Sequence, residues 1–192
     1  MTSPSLSPLS VQTAIRTKRA IRKFTPDPLP DDALHAILNA GRRAQSSKNM
    51  QAWHFIAIRD RATLEALSKC GDFAGHLAGA ALGLAIITPD PEIRFNVMFD
   101  AGQSAAYMQL AAWELGIGSC LATIYQHDQA RALLGFPADM HLRIALSFGY
   151  PLEPEKLTLP PRKTGRRTFD EVIHWDRWEE GKAGYNPFGG SR

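Results

Sequence analysis

The order in which helical and strand-like segments follow one another is the feature that most limits the possible folds. Short β-rich runs stand at WHFIAI, ALGLAIIT, GIGSCLATIY and HLRIALSFGYP, and helical periodicity lies between them without a regular strand–helix–strand rhythm. A doubly wound parallel sheet needs that rhythm. The sequence therefore predicts a layered α+β domain.

Length and composition predict one globular domain. The chain has 192 residues, of which 44% are hydrophobic, so we expect a single domain over residues 1–192 with flexible ends at 1–9 and 180–192. The longest apolar run, near residues 77–87, is well short of the ~20 residues that span a bilayer. The N-terminus is Ser-rich and faintly similar to a transit peptide, but Val11, Ala14 and Ile15 favour packed structure. We expect a cytoplasmic protein with no membrane segment.

Cysteine and histidine usage argues against a metal or disulfide framework. Cys70 and Cys120 are too few for a disulfide scaffold or a thiolate cluster, and the six histidines lack helical pairing. There is no GxGxxG in a strand–helix context, no Walker loop, no GxSxG and no HExxH. These absences exclude many common enzyme classes, and no metal is expected.

Three helices have recognisable signals. Ser10 is expected to cap a short helix with Val11, Ala14 and Ile15 buried. Asp31 or Asp32 is expected to cap a second helix that ends near Gly41. The longest helix is predicted from about residue 92 to 115, either in the middle of the molecule or in a subunit interface, because it is apolar around much of its circumference.

Three polar segments are candidates for chemistry: KRAIRK at residues 18–23, SSKNMQ at 46–51 and RKTGRR at 162–167. Each one alone is typical of a solvated surface or an ordinary loop. Together they fit an anionic cofactor, because Arg and Lys bind phosphate while amides and hydroxyls bind the edge of a planar ring. Nucleic-acid binding through the basic N-terminus is a weaker hypothesis, since no aromatic stacking platform accompanies the cations.

The order of motifs identifies a family. KRAIRKF, SSKNMQAWHFIAI, FDAGQSAAYMQLAAWELGIGSC, LLGFP, ALSFGYP and RRTFDEVIHW resemble, in register over residues 10–178, the nitroreductase family of FMN-dependent flavoproteins. The resemblance implies a layered α/β/α fold, with a mainly antiparallel central sheet flanked by helices, in an intertwined homodimer. It also implies an oxidoreductase that takes hydride from NADH or NADPH and passes electrons by a ping-pong route to a small acceptor such as a nitroaromatic or quinone.

In this family a basic Arg-Arg-Ser-x-Arg motif holds FMN, and it matches Lys18, Arg19, Ala20 and Arg22. Lys18 and Arg19 are expected at the phosphate and ribityl end, and Arg22 near the pyrimidine edge of the ring. Lys18 gives up the bidentate fork of arginine, and Ala20 gives up a serine hydroxyl. Both departures put the strength of FMN binding in doubt.

The family's loop motif, Pro-Ser-Ser-x-Asn-x-Gln-Pro-Trp, matches Ser46, Ser47, Asn49 and Gln51. Gln45 and Ala52 replace its two prolines, which should leave the loop less rigid. The loop is expected to reach the FMN that the partner subunit holds, whereas Trp53 is expected in the core.

Two further segments complete the implied site. Leu121, Ala122 and Thr123 match the stretch beneath the flavin ring, with the Thr123 backbone N–H expected near N5. Arg166 and Arg167 match the position that closes on the phosphate, while Arg162 and Lys163 are ascribed to the surface. No catalytic side chain is required, because the cofactor carries the chemistry. A specialised reaction on the same fold, such as dehalogenation or heterocycle oxidation, and a non-catalytic flavin binder remain alternatives.

Overall fold

The computed structural model describes residues 10–159 and 166–178. The chain divides into two compact units, Met1–Leu159 and Pro160–Arg192. Arg162, Lys163 and the ends expected to be flexible lie outside the described residues.

Four strands of the described part form one antiparallel sheet in the order β1-β2-β4-β3. Their bounds are β1 His54–Ile58, β2 Leu82–Pro89, β3 Gly118–Thr123 and β4 Met140–Gly149. The helices of the first unit are α1 Val11–Thr17, α2 Asp31–Arg42, α3 Arg61–Ser68, α4 Asn96–Glu114 and α5 His127–Leu134. In the second unit α6 spans Phe169–Val172.

Helices cover both faces of the sheet. Leu84 and Ile86 of β2 pack with α2 and α4, whereas the alternate residues Ala85 and Ile87 pack with α3 and α5. Side chains of a strand point to opposite faces in turn, so a strand buried on both faces must be apolar at nearly every position. The result is the α/β/α layering that the resemblance implied.

Helix α2 ends at Arg42, near Gly41 as expected, but the role predicted for Gly41 is wrong. Gly41 lies inside the helix, and a Cβ on it would stand 1.8 Å from the terminal methyl of Met108. Ser104 of α4 also donates to the Gly41 carbonyl at 3.0 Å. The glycine is therefore required by the close approach of α4 and not by helix termination. The helix begins after Pro30, with Asp31 and Asp32 in its first turn.

The expected burial of α1 is also wrong in two of three positions. Only Ala14 is buried, while Val11 and Ile15 are 70% and 64% exposed. Phe95 and Phe99, near the start of α4, are 70% and 65% exposed and pack against each other edge to face. Apolar periodicity identifies the face of a helix that avoids water. A second protein surface, and not only the same chain, can cover that face.

Candidate cofactor-binding site

The outer edge of β3 presents backbone groups that the sheet does not use. The Ile124 N–H donates to the Arg143 carbonyl at 2.9 Å, which fixes the phase of the β3–β4 ladder. In an antiparallel pair only alternate residues bond to the partner strand. The N–H groups of Leu121 and Thr123 therefore point away from β4, and both side chains are exposed. Ala122 lies between them. Its side chain packs in the core and its N–H points toward β4, so neither group is available at the outer edge.

The basic segment runs along this same edge. Ala20 forms a parallel bridge with Ser119, and the Ile21 N–H donates to the Ser119 carbonyl at 2.9 Å. Gly118 makes this approach possible, because a Cβ there would lie 2.7 Å from the Ile21 Cβ. The segment is thus attached to β3 by its backbone, one residue before the outward-facing positions Leu121 and Thr123 begin to alternate with Cys120 and Ala122.

Lys18 and Arg19, two of the four cations in residues 18–23, donate hydrogen bonds within the chain. Lys18 Nζ donates to Gln109 Oε1 of α4 at 3.0 Å. Arg19 donates through Nε to the Thr17 carbonyl at 3.2 Å and through Nη2 to the Leu159 carbonyl. Arg22 is exposed. A cavity of about 200 Å³ beside the segment is lined by Arg22, together with Ala20, Ile21, Lys23, Pro151, Glu153 and Lys156.

A buried polar chain lies behind β3. His76 Nδ1 is 2.7 Å from Ser147 Oγ, which donates to the Cys120 carbonyl at 3.4 Å. Burial lowers the pKa of His76, and the positive charge of Arg22 lowers it further. His76 is therefore neutral at pH 7.

The thiol of Cys120 shares these surroundings. Burial raises its pKa, although Arg22 and Lys18 oppose that rise. Its thiolate form is therefore disfavoured.

The polar loop holds an unusual backbone conformation. Lys48, Asn49 and Gln51 have φ of 51°, 54° and 48°, a region that residues other than glycine seldom adopt. Ser46 Oγ accepts from the Gln51 N–H at 2.9 Å, and Gln51 Nε2 donates to Asn49 Oδ1 at 3.1 Å. These hydrogen bonds restrain the loop, in which Gln45 and Ala52 replace the two prolines of the family motif. Trp53, just after it, is buried as expected.

The structure does not bring the loop into contact with the basic segment of the same chain. The loop precedes β1 and the basic segment lies on β3, and these are the two edges of the sheet. Both contact α4, but at Asp100 and Gln109, which are about 13 Å apart along a helix that rises about 1.5 Å per residue.

The second unit carries Arg166 and Arg167, both exposed. Arg167 Nη2 donates to the Glu171 carbonyl, next to a capping box between Thr168 and Glu171 at the start of α6. The contact of these arginines with a phosphate stays a prediction.

The sequence interpretation missed Asp100 and His76. Asp100 lies on the face of α4 that also carries Val97, Ala101 and Ser104, so an acidic residue within a buried stripe was its available signal. His76 lies in a short 3₁₀ turn, Gly75–Leu77, with no comparable pattern.

Neither a metal cluster nor a membrane span is found where the structure can be described. Within residues 10–159 and 166–178, no three His, Cys, Asp or Glu side chains are grouped to hold a metal ion. Over the same ranges, no helix has the length and apolarity to cross a bilayer.

The fold and the candidate site define a class: an α/β/α protein with a basic segment docked on the edge strand of its sheet. The nitroreductase family model matches residues 15–71 and 73–150, so the chain belongs to the nitroreductase family. The assignment made from the sequence motifs is confirmed.

Relatives and a solved structure agree with this. A protein of Archaeoglobus fulgidus, provisionally named NADH dehydrogenase/NAD(P)H nitroreductase, is 29% identical over 85% of this chain and 96% of its own length. The NADPH-flavin oxidoreductase of Vibrio harveyi is 25% identical over 86% and 73%. An FMN-dependent nitroreductase of Clostridium difficile superposes with a TM-score of 0.74 at 28% identity, over 86% of this chain and 98% of its own. The expected fold is thereby confirmed, and these names agree with the expected oxidoreductase class.

Proposed function

We propose that the protein is an FMN-dependent oxidoreductase that takes hydride from NAD(P)H and passes electrons to a small acceptor such as a nitroaromatic or a quinone. The observation that carries this is the β3 edge, where the outward N–H groups of Leu121 and Thr123 lie beside a docked basic segment. That donor set fits FMN, because phosphate needs cations and a flavin ring needs hydrogen-bond donors at N5 and its carbonyl oxygens.

The roles follow from position. Lys18 and Arg19 bind the phosphate and ribityl end. Arg22 stabilises negative charge at the pyrimidine edge. The Thr123 N–H donates toward N5, and Leu121 supports the ring. FMN, when bound, supplies the hydride-accepting and hydride-donating chemistry, so no acid or base side chain is assigned.

A homodimer explains the separation of the loop from the basic segment. With the two groups at opposite edges of one sheet, Ser46, Ser47, Asn49 and Gln51 reach a flavin held by the other subunit. An apolar groove of about 410 Å³ supports a partner, since Val11 and Tyr107, two of its lining residues, are 70% and 41% exposed. Burying such a surface is the usual driving force for subunit association.

Steady-state kinetics test the reaction class. FMN-loaded protein is assayed with NADPH and with NADH at several fixed quinone concentrations. Ping-pong turnover gives parallel double-reciprocal lines, because the donor leaves before the acceptor binds. Intersecting lines would contradict the two-stage exchange, and absence of turnover with both donors would contradict the reductase function.

A further inference from the structure

Asp100 is a buried carboxylate with a single partner. It is 6% exposed on the packed face of α4, and Oδ1 and Oδ2 both lie 3.2 Å from the backbone nitrogen of Ser47, which donates to them. No other hydrogen bond or ion pair of this side chain occurs within the part of the chain that the structure describes. A carboxylate removed from water is costly unless it is bonded, so apolar packing does not account for an acid at this position.

The group it bonds is the first amide of the strained loop. Ser47 starts the 3₁₀ turn Ser47–Asn49, and the left-handed residues Lys48, Asn49 and Gln51 follow within four positions. The other hydrogen bonds described for the loop join it only to itself. Gln51 donates to Ser46 and Asn49, and the backbone N–H groups of Asn49 and Met50 donate to the Ser46 and Ser47 carbonyls. Among the residues that the structure describes, the bond from Ser47 is the hydrogen bond that joins this loop to α4.

We infer that Asp100 is a positioning residue, whose carboxylate holds the loop of residues 46–51 in the conformation that contacts the cofactor. That the loop contacts the cofactor rests on the proposed function. That Asp100 anchors the loop rests on the hydrogen bonds from Ser47 alone. A bond to an ionised acceptor is stronger than one to a neutral acceptor, which favours aspartate over asparagine here. The residue touches the loop and not the reacting atoms, so its effect is on cofactor binding.

The anchor is tested first in FMN-free protein, by hydrogen exchange at the Ser47 amide. Asp100→Ala removes the acceptor, and Asp100→Asn keeps a weaker, neutral one. Ser104→Ala is the matched control, because Ser104 is a buried polar residue of the same helix that bonds to Gly41 of α2 and not to the loop. We expect exchange about tenfold or more faster in Asp100→Ala, a smaller rise in Asp100→Asn, and less than about a twofold change in Ser104→Ala.

FMN titration of the same variants is the second readout. The dissociation constant should rise about tenfold or more in Asp100→Ala, with partial rescue in Asp100→Asn. If Asp100→Ala does not fold, Asp100→Asn carries the test. Unchanged exchange and affinity in the Asp100 variants would overturn the inference, as would equal effects in Ser104→Ala. Failure of the wild-type protein to bind FMN would instead contradict the proposed function, while the exchange measurement would still decide the anchor.

Discussion

At the scale of single residues, Lys18, Arg19 and Arg22 set the electrostatics of the β3 edge. Lys18 and Arg19 are oriented by Gln109 and by the Thr17 and Leu159 carbonyls, so in the proposed site they would lose little conformational freedom on binding an anion. Preorganised donors of this kind make a phosphate contact effective. The replacement of a family arginine by Lys18 and of a serine by Ala20 leaves Arg19 as the main guanidinium at this end.

Arg19→Ala should weaken FMN binding. A charge-assisted hydrogen bond contributes about 1.5–3 kcal/mol, which corresponds to a dissociation constant about 10- to 150-fold higher. Flavin fluorescence titration measures it, with Arg16→Ala on the exposed side of α1 as the control. Equal affinity of Arg19→Ala and the wild type would show that the phosphate lies elsewhere.

His76 should make the protein less stable in mild acid. Its pKa is lowered by burial from the ordinary value of 6.5, so the unfolded chain binds a proton that the folded chain resists. The free energy of unfolding is therefore highest above about pH 6.5 and falls as the pH drops below that value toward the folded-state pKa.

Urea midpoints at about pH 8 and about pH 5.5 measure this loss. His76→Gln should reduce the difference between the two midpoints, and His35→Gln, at an exposed position of α2, should leave it unchanged. An undiminished pH difference in His76→Gln would assign the effect to another group.

At the scale of elements, the proposed site depends on the docking of Ala20 and Ile21 onto β3. Backbone bonds carry it, and Gly118 provides the space. Among the described residues no strand pairs with this edge of β3, and an unpaired edge strand readily accepts another segment. The chain itself supplies that segment and leaves only the outward amides beyond Ser119 for a ligand.

Gly118→Ala should displace the basic segment. Its new methyl would lie 2.7 Å from Cβ of Ile21, a collision that a side-chain rotation does not relieve. Overpacking of this kind costs about 1–3 kcal/mol, and FMN affinity should fall with it. Thermal melting and FMN titration measure the two effects. The control is Gly79→Ala, where an added Cβ meets no atom within 4 Å, and a neutral Gly118→Ala would contradict the docking.

The sequence predicted the helices and strands better than the contacts between them. Buried strands such as β2 were identifiable because an uninterrupted apolar run closed by a proline is typical of a strand covered on both faces. Gly41 was misassigned, because a glycine needed for contact with Met108 looks the same in sequence as one that ends a helix. The outward direction of the Thr123 N–H depends on the register between β3 and β4. The bond from Ser47 to Asp100 joins residues far apart in sequence. Neither feature is visible in a local sequence pattern.

At the scale of the whole molecule, the proposed cofactor site needs residues from two chains. One sheet places its basic segment and its polar loop at opposite edges, and apolar side chains of α1 and α4 face outward around a groove. A homodimer would account for both observations. The partner would cover the apolar groove, and the loop of one chain would complete the proposed site of the other.

Sedimentation should therefore give a species of twice 21.2 kDa for the FMN-loaded protein. Dilution should release flavin only as the dimer dissociates, since the loop contacts come from the partner. A monomer that retains FMN would contradict the shared site.

The most direct test of the central claim is the visible absorbance of the purified protein, kept without oxygen and treated with NADPH and then NADH. Flavin bands that bleach with at least one donor are expected, because the proposed site at the β3 edge would hold FMN where hydride can reach it. Persistent bands would contradict the reductase function. Absence of flavin bands after incubation with FMN would contradict the site itself.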